Sequence, residues 1–379
     1  MKIDIAYLYK KCIFSLLKMA KVKENRVFFE SFHGEKYSDS IKILYEYIKT
    51  QKKDLEYVWV YNKDECPISG DNLIIVKRNT LKYFYYNATS KYWVTNSHRN
   101  RHISPKKNQV YMMIWHGVGA FKKFGADIKR PKEVLEDLKT DGNNITYLVC
   151  SSENIKDIYS GALCVDKNKI YPYGLPRNDI FYKEDKLQEI KNKYKDIFPQ
   201  NKKIILYAPT HRAAEKEFDF KLDVNNLYEN LKDDYILLIK SHYFISEAIE
   251  FDDRLKDFVY DVSYYDDIQE LLVISDILIT DYSSVFYDFG FQKGKPVLFY
   301  AYDKDQYIEN WGGFYKKYDS YVPGPILYNT REIVQAIQEK DILEESSQKL
   351  QDFMKEYDDY KDGKSTERAY KLLFSGENK

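Results

Sequence analysis

The chain has 379 residues, with 59 Lys+Arg against 59 Asp+Glu and a formal net charge of zero. That length exceeds the roughly 250–300 residues at which a single core stops growing, so two domains are expected. The charge balance argues against a general nucleic-acid binder, and an apolar fraction of 44% is far above a disordered composition. Cys12, Cys66, Cys150 and Cys164 have no CxxC spacing and are too few for a disulfide framework, which is the pattern of reduced thiols in the cytoplasm.

Residues 1–25 read as an amphipathic helix. Ile5, Leu8, Cys12, Ile13, Leu16 and Met19 fall on one stripe, and Lys2, Lys10, Lys11, Lys18, Lys21, Lys23 and Arg26 outnumber Asp4 and Glu24 over residues 1–26. An apolar stripe flanked by lysines suits a helix lying in a membrane interface, and it equally suits a helix docked on its own domain. No run of about 18 apolar residues predicts a membrane span. Lysines 10, 11 and 18 interrupt the apolar stretch, and no small-residue cleavage site follows it, so no secretory signal is expected either. A cytoplasmic location follows.

Strands and helices then alternate. Strands are predicted at 26–30, 57–61, 73–76, 92–95, 110–115 and 147–150, with helices at 39–52, at 80–90 and after Ser152. Gly174-Leu-Pro-Arg-Asn178 is a turn-rich break and the expected domain boundary. Beyond it, strands are predicted at 203–207, 235–239, 258–261, 277–280 and 296–300, with a helix at 267–275 and two charged amphipathic helices over 330–377. Such alternation predicts an α/β fold of two doubly wound parallel-sheet, Rossmann-like domains facing a cleft. The expected divisions are 1–25, 26–180, 181–330 and 331–379. In such folds ligands bind outside the C-terminal ends of the strands.

The strand ends carry the chemistry. The strand at 110–115 leads into His116, Gly117 and Gly119. The strand at 203–207 leads into Pro209, Thr210, His211 and Arg212, and that at 235–239 into Lys240 and His242. Three of the six histidines thus sit at strand ends, where core histidines would scatter. The strand at 277–280 runs into Thr280-Asp-Tyr-Ser-Ser284 and then the start of a helix at Val285. Ser283 or Ser284 would cap that helix. Backbone N–H groups there, with two hydroxyls, suit a diphosphate; a simple helix cap is the plainer alternative. The GVGAFKKFG stretch places Gly125 too late for a dinucleotide fingerprint, and no GxxxxGK[ST] occurs. The acidic pairs Asp252-Asp253 and Asp266-Asp267 lie in a charged loop and at a helix start. The sequence therefore assigns no metal site and no tightly bound cofactor, and it carries no signal on Mg2+ dependence.

WHGVGAFKKFG, PRND, YAPTHR, LLIKSH, SDILITDYSSVFYDF and KPVLFYAYD, in this order, resemble the CDP-glycerol glycerophosphotransferase family of teichoic-acid enzymes, as does FFESFHGEKYSDS near the start. The resemblance covers about residues 25–330. It implies a GT-B fold with an acceptor-binding first half and a CDP-alcohol-binding second half. It implies transfer of glycerol phosphate from CDP-glycerol to a hydroxyl of a lipid-linked saccharide acceptor at the cytoplasmic membrane surface, with release of CMP. Carried over by motif, His116 matches the catalytic base. Arg212, His242, Thr280, Ser283 and Ser284 match donor-phosphate contacts, with Asp281 and Asp288 in the same motif; Lys240 is expected at the same rim from its place at a strand end, and Ser31 and Gly117 are expected on the acceptor side. Two alternatives stay open: ribitol phosphate transfer from CDP-ribitol, and a sugar-nucleotide glycosyltransferase on the same fold. His211 stands where the family commonly has an aromatic. NWGGFY has Gly312-Gly313 where an Arg-Gly pair is common, which turns attention to Lys316 and Lys317 for the charge. The long N-terminal region of the polymerases does not precede this sequence, which favours single or short-chain addition.

Overall fold

A computed structural model of the chain describes residues 5–210, 221–241 and 252–375. Its contacts divide into two units. The first holds the chain up to Gly117, Phe124–Asp179 and the chain from Asp359; the second holds Val118–Lys123 and Ile180–Asp358.

Among the described residues, the first unit is built on a seven-stranded sheet. Its strands are β1 (Lys23–Glu30), β2 (Glu56–Val60), β3 (Leu73–Val76), β4 (Ser90–Thr95), β5 (Val110–Ile114), β6 (Tyr147–Val149) and β7 (Ile170–Tyr171). Their spatial order is β3-β2-β1-β4-β5-β6-β7, with every pairing parallel. Val27, Phe28 and Phe29 are each fully buried, because β1 lies between β2 and β4 with both faces covered. That is why the strand reads as an unbroken apolar run rather than an alternation.

The second unit repeats the plan in a six-stranded parallel sheet. Its strands are β8 (Lys203–Ala208), β9 (Tyr235–Ile239), β10 (Val259–Asp261), β11 (Ile277–Thr280), β12 (Val297–Tyr300) and β13 (Ile326–Leu327), in the order β10-β9-β8-β11-β12-β13. In both sheets the winding reverses once, between β1 and β4 in the first and between β8 and β11 in the second. A reversal splays the connecting loops apart at the C-terminal strand ends and opens a crevice there.

Two terminal features differ from the sequence expectation or settle it further. Residues 330–377 form three helices among the described residues, Thr330–Gln338, Lys340–Met354 and Ser365–Leu373, where two were expected. Glu339 alone separates the first two, and both sides are amphipathic, so the pattern reads through the break. The third belongs to the first unit, where the N–H groups of Ser365 and Thr366 donate to Asp179 at 2.9 and 2.8 Å. A carboxylate at that helix start satisfies two otherwise orphaned donors and complements the dipole. At the other end, helix Ile5–Leu17 is docked on its own unit. Phe14 is 1% exposed and packs against Phe84, and Tyr7 meets His102 edge-on. The opposite face of the helix leaves Leu8 (45% exposed), Tyr9 (66%) and Leu16 (68%) outward, with Met19 (84%) just beyond.

Candidate active site

In the first unit the loop after β1 is conformationally unusual. Phe32, His33, Gly34 and Asp39 all have positive φ, at 44°, 57°, 87° and 67°. Gly34 is required by space as well, since a Cβ there would lie 2.8 Å from Val60 Cγ1. Left-handed residues other than glycine cost on the order of 1–3 kcal/mol each and persist where surrounding bonds over-determine them. Those bonds are present. The Phe32 N–H donates to Asn96 Oδ1 at 2.8 Å, and the Ser40 N–H donates to Asp39 Oδ1 at 2.7 Å.

This loop, the residue after β4 and the residues after β5 meet around His116. The buried run of β5 ends at Ile114, and the chain then presents Trp115 and His116, both half-buried. His116 Nδ1 lies 3.0 Å from the backbone carbonyl of Asn96. A carbonyl oxygen only accepts, so Nδ1 carries the proton and Nε2 the lone pair. Burial lowers the proton affinity of the imidazole; the Asn96 carbonyl and Asp39 oppose this, and Arg177 and His98 add to it. The net direction is downward, which keeps the ring neutral at neutral pH. Trp115 lies 4.1 Å from the His116 ring centroid and stacks on Phe124, while Phe32 flanks His116 at 5.6 Å.

In the second unit, the reversal between β8 and β11 is where the Thr280–Ser284 segment falls. The Thr280 hydroxyl donates to the Ala208 carbonyl at 2.7 Å. Asp281 is 1% exposed, and its Oδ1 accepts the N–H groups of Thr210 and Tyr282. Ser283 Oγ accepts the Val285 N–H at 3.3 Å, so the cap falls to Ser283; the Ser284 side chain makes no cap bond. The helix that follows, Val285–Phe289, has five residues. The macrodipole of so short a helix is small, so any anion affinity here rests on local N–H groups and hydroxyls. The segment Val118–Lys123, which continues the chain from His116-Gly117, is part of this unit. Gly119 lies flat on Tyr287, where a Cβ would come 2.1 Å from Cε1.

The remaining sequence candidates are placed as follows. Lys240 donates to the carbonyls of Ser263 and Tyr265, both at 2.6 Å, and so braces the loop after β10. Asp288 is buried and accepts from Gln269 Nε2 at 3.2 Å. In the first unit Ser31 is fully buried and donates to the Ser38 carbonyl at 3.1 Å, and the Gly117 carbonyl accepts from the Tyr159 hydroxyl at 2.6 Å. His211, Arg212 and His242 lie outside the described residues. Among the described residues no three His, Cys, Asp or Glu side chains come together as a metal site. Sequence reasoning passed over Asp39, Asn96 and Arg177, which surround His116. Two motifs carried a signal: PRND contains Arg177, and FFESFHGEKYSDS contains Asp39.

The chain matches the family of CDP-glycerol:poly(glycerophosphate) glycerophosphotransferases over residues 12–375. It is 33% identical to the teichoic acid glycerol-phosphate transferase of Staphylococcus aureus, over 98% of this chain and 99% of that protein. It is also 33% identical to the teichoic acid poly(glycerol phosphate) polymerase of Staphylococcus epidermidis, over 94% of this chain; it spans about half, 51%, of that protein's length. A solved structure of the wall teichoic acid polymerase TagF, in a variant soaked with CDPG, superposes with a TM-score of 0.86 at 31% identity, covering 98% of this chain and 95% of that one. The two parallel sheets are therefore those of a GT-B-like α/β fold.

Proposed function

Since this chain belongs to the CDP-glycerol:poly(glycerophosphate) glycerophosphotransferase family, we propose that it transfers glycerol phosphate from CDP-glycerol to a hydroxyl of a lipid-linked teichoic-acid precursor and releases CMP. The observation that carries this reading is His116, a neutral imidazole whose Nδ1 proton is engaged by the Asn96 carbonyl at 3.0 Å, leaving Nε2 as the basic atom.

In the proposed reaction the acceptor oxygen attacks the phosphorus that bears glycerol. A new O–P bond forms, the P–O bond to the CMP phosphate breaks, and CMP leaves with that electron pair. The acceptor proton passes to His116 Nε2. A positioned base contributes about 10²–10⁴-fold, and the rest of phosphoryl-transfer catalysis is positioning and charge stabilisation. Ser283, Ser284, Arg212 and His242 would hold the diphosphate and stabilise the leaving CMP. Thr280, Asp281, Asp288 and Lys240 would serve by fixing the loops that present those groups. Asp281 supports this division, because its carboxylate is taken up by backbone N–H groups and would repel a diphosphate if turned toward it.

A lipid-linked acceptor requires the enzyme to meet a membrane surface on the cytoplasmic side. Among the described residues no helix is long and apolar enough to cross a membrane. The outward apolar stripe of helix Ile5–Leu17, together with its lysines, supports contact with an anionic leaflet.

The test is a nucleotide-product assay with CDP-glycerol and CDP-ribitol in turn on a lipid-linked acceptor analogue. CMP release with CDP-glycerol, and a product heavier by one glycerol phosphate, is the expected result. Turnover confined to CDP-ribitol would reassign the donor. UDP or GDP release from a sugar nucleotide would make the protein a glycosyltransferase.

A further inference from the structure

We propose that Asp39 is a positioning residue for His116, acting through Asn96 on the ring and through Arg177 on the backbone; the inference rests on the reading of His116 as the base. Four residues form a closed circuit of hydrogen bonds. His116 Nδ1 donates to the Asn96 carbonyl at 3.0 Å, and Asn96 Nδ2 donates to Asp39 Oδ2 at 2.6 Å. Arg177 Nη1 then donates to Asp39 Oδ1 at 2.9 Å and to the His116 carbonyl at 2.7 Å.

The circuit joins four separate stretches of chain: the loop after β1, the end of β4, the end of β5 and the Pro176–Tyr182 turn. Both ends of His116, ring and carbonyl, are therefore tied to one carboxylate. Asp39 is 6% exposed and Arg177 8% exposed, so neither charge is dispersed by solvent. The second Asn96 oxygen is also occupied, by the Phe32 N–H and the Ser97 hydroxyl at 3.1 Å, so the Asn96 amide has a single orientation. Asp39 holds a left-handed backbone to reach this place. Strain retained beside a reactive group is expected where the geometry it secures is functional.

Charge gives the circuit a second consequence. Asp39 raises the proton affinity of His116, while Arg177 and His98 lower it. Burial works to raise Asp39 itself, yet Arg177 and the Ser40 and Asn96 donors hold it below the ordinary carboxylate value, so it is ionised throughout the working range. In Asp39→Asn the new amide would face the Asn96 amide donor to donor. Relief by turning Asn96 would strip the Phe32 N–H of its acceptor.

The experiment is the pH profile of CMP release, with His116→Ala as reference. Asp39→Asn should lower kcat roughly 10- to 100-fold, the scale of a misplaced reacting group, leave KM for CDP-glycerol unchanged, and move the acid limb of kcat to lower pH. Arg177→Gln should move that limb to higher pH, and it decides the question alone if Asp39→Asn does not fold. A merely structural role moves neither limb. If His116→Ala is inactive but both limbs stay at the parent position, the positioning role fails while the base reading stands. If His116→Ala keeps near-normal turnover, the base reading itself fails. If both circuit variants fail to fold, the circuit serves stability and the proposal is overturned.

Discussion

The N–H of Thr210, just past the end of β8, donates to Asp281 Oδ1 at 2.8 Å, just past the end of β11. This bond crosses the point where the second sheet reverses its winding. The Thr280 hydroxyl makes a parallel tie to the Ala208 carbonyl. Together they set the spacing between the two loops that border the crevice of that sheet.

The consequence is measurable in stability. Asp281→Ala leaves the buried N–H of Tyr282 and the half-buried N–H of Thr210 without this acceptor, and a buried loss of this kind costs about 1–3 kcal/mol. Asp281→Asn retains an oxygen that can accept both. In urea unfolding followed by far-UV circular dichroism, the alanine variant should have a clearly lower midpoint, with the asparagine variant between it and the parent. Equal midpoints for the parent and the alanine variant would remove the strap role.

Replacing His116 with alanine should lower turnover by about 10²-fold or more. The donor groups assigned to the second unit are untouched by that change, so CDP-glycerol affinity measured by calorimetry should hardly move. Loss of binding in step with turnover would make His116 a donor contact rather than the base.

On the donor side, Ser284→Ala and Arg212→Ala should each weaken CDP-glycerol binding by about 1–3 kcal/mol, the cost of losing a hydrogen bond to a charged group. Ser284 is the sharper probe, because its hydroxyl makes no cap bond and its removal should not unravel the short helix. Calorimetry on both variants decides it: unchanged affinity in the two would move the diphosphate site off the Thr280–Ser284 segment.

Much of the fold was legible because central parallel strands are buried on both faces. Tyr235–Ile239 and Ile277–Thr280 coincide with their apolar runs, and the edge strand Leu73–Val76 was found by its apolar run although only Val76 in it is buried. β7 and β13 were not legible, since two residues carry no pattern. Helices Lys132–Asn144 and Glu184–Tyr194 escaped for a different reason: they are largely polar and bury few side chains, chiefly Leu138 in one and Ile190 and Tyr194 in the other. His116 and Asp281 could be picked out because each stands at the C-terminal end of a strand, Asp281 next to β11 and His116 two residues past β5. Asp39 could not, because an acid at the start of helix Asp39–Gln51 reads as an ordinary dipole partner. Only the tertiary fold brings it to Asn96 and Arg177, the latter 138 residues away in sequence.

A pH dependence of stability follows from His102. The ring is 6% exposed, among the described residues neither nitrogen has a hydrogen-bond partner, and it packs against Tyr7 and Phe84. Burial lowers its proton affinity, Lys10, Arg78 and Arg101 add to that, and Asp137 opposes it. Unfolded, the imidazole takes a proton near its ordinary value of about 6.5. Folded, it resists until lower pH, so the unfolded chain binds more protons in that interval and stability falls as pH falls. Tm should therefore decline from pH 7 toward pH 5, and His102→Phe should flatten the decline. An unchanged slope in the variant would assign the acid sensitivity to other groups.

The proposed membrane contact can be tested without disturbing the fold, because helix Ile5–Leu17 separates its two faces. Phe14 is buried against Phe84, so deleting the whole segment would expose that surface and confuse lost packing with lost membrane binding. Leu16 and Met19 point outward and have no such role. Each lysine near an anionic surface contributes about 1 kcal/mol, and inserted apolar side chains add to this. The parent should co-sediment with anionic vesicles, less so as salt rises. Leu16→Glu with Met19→Glu places two like charges where the stripe would enter the lipid. The double variant should keep the parent Tm and its turnover on a short soluble acceptor, yet lose vesicle binding and most activity on a lipid-linked acceptor. Phe14→Ala should do the reverse, losing about 3–5 kcal/mol of stability as a buried aromatic truncation while the outward stripe remains. If the double-glutamate protein sediments with vesicles as the parent does, the helix is structural on both faces and another surface meets the membrane.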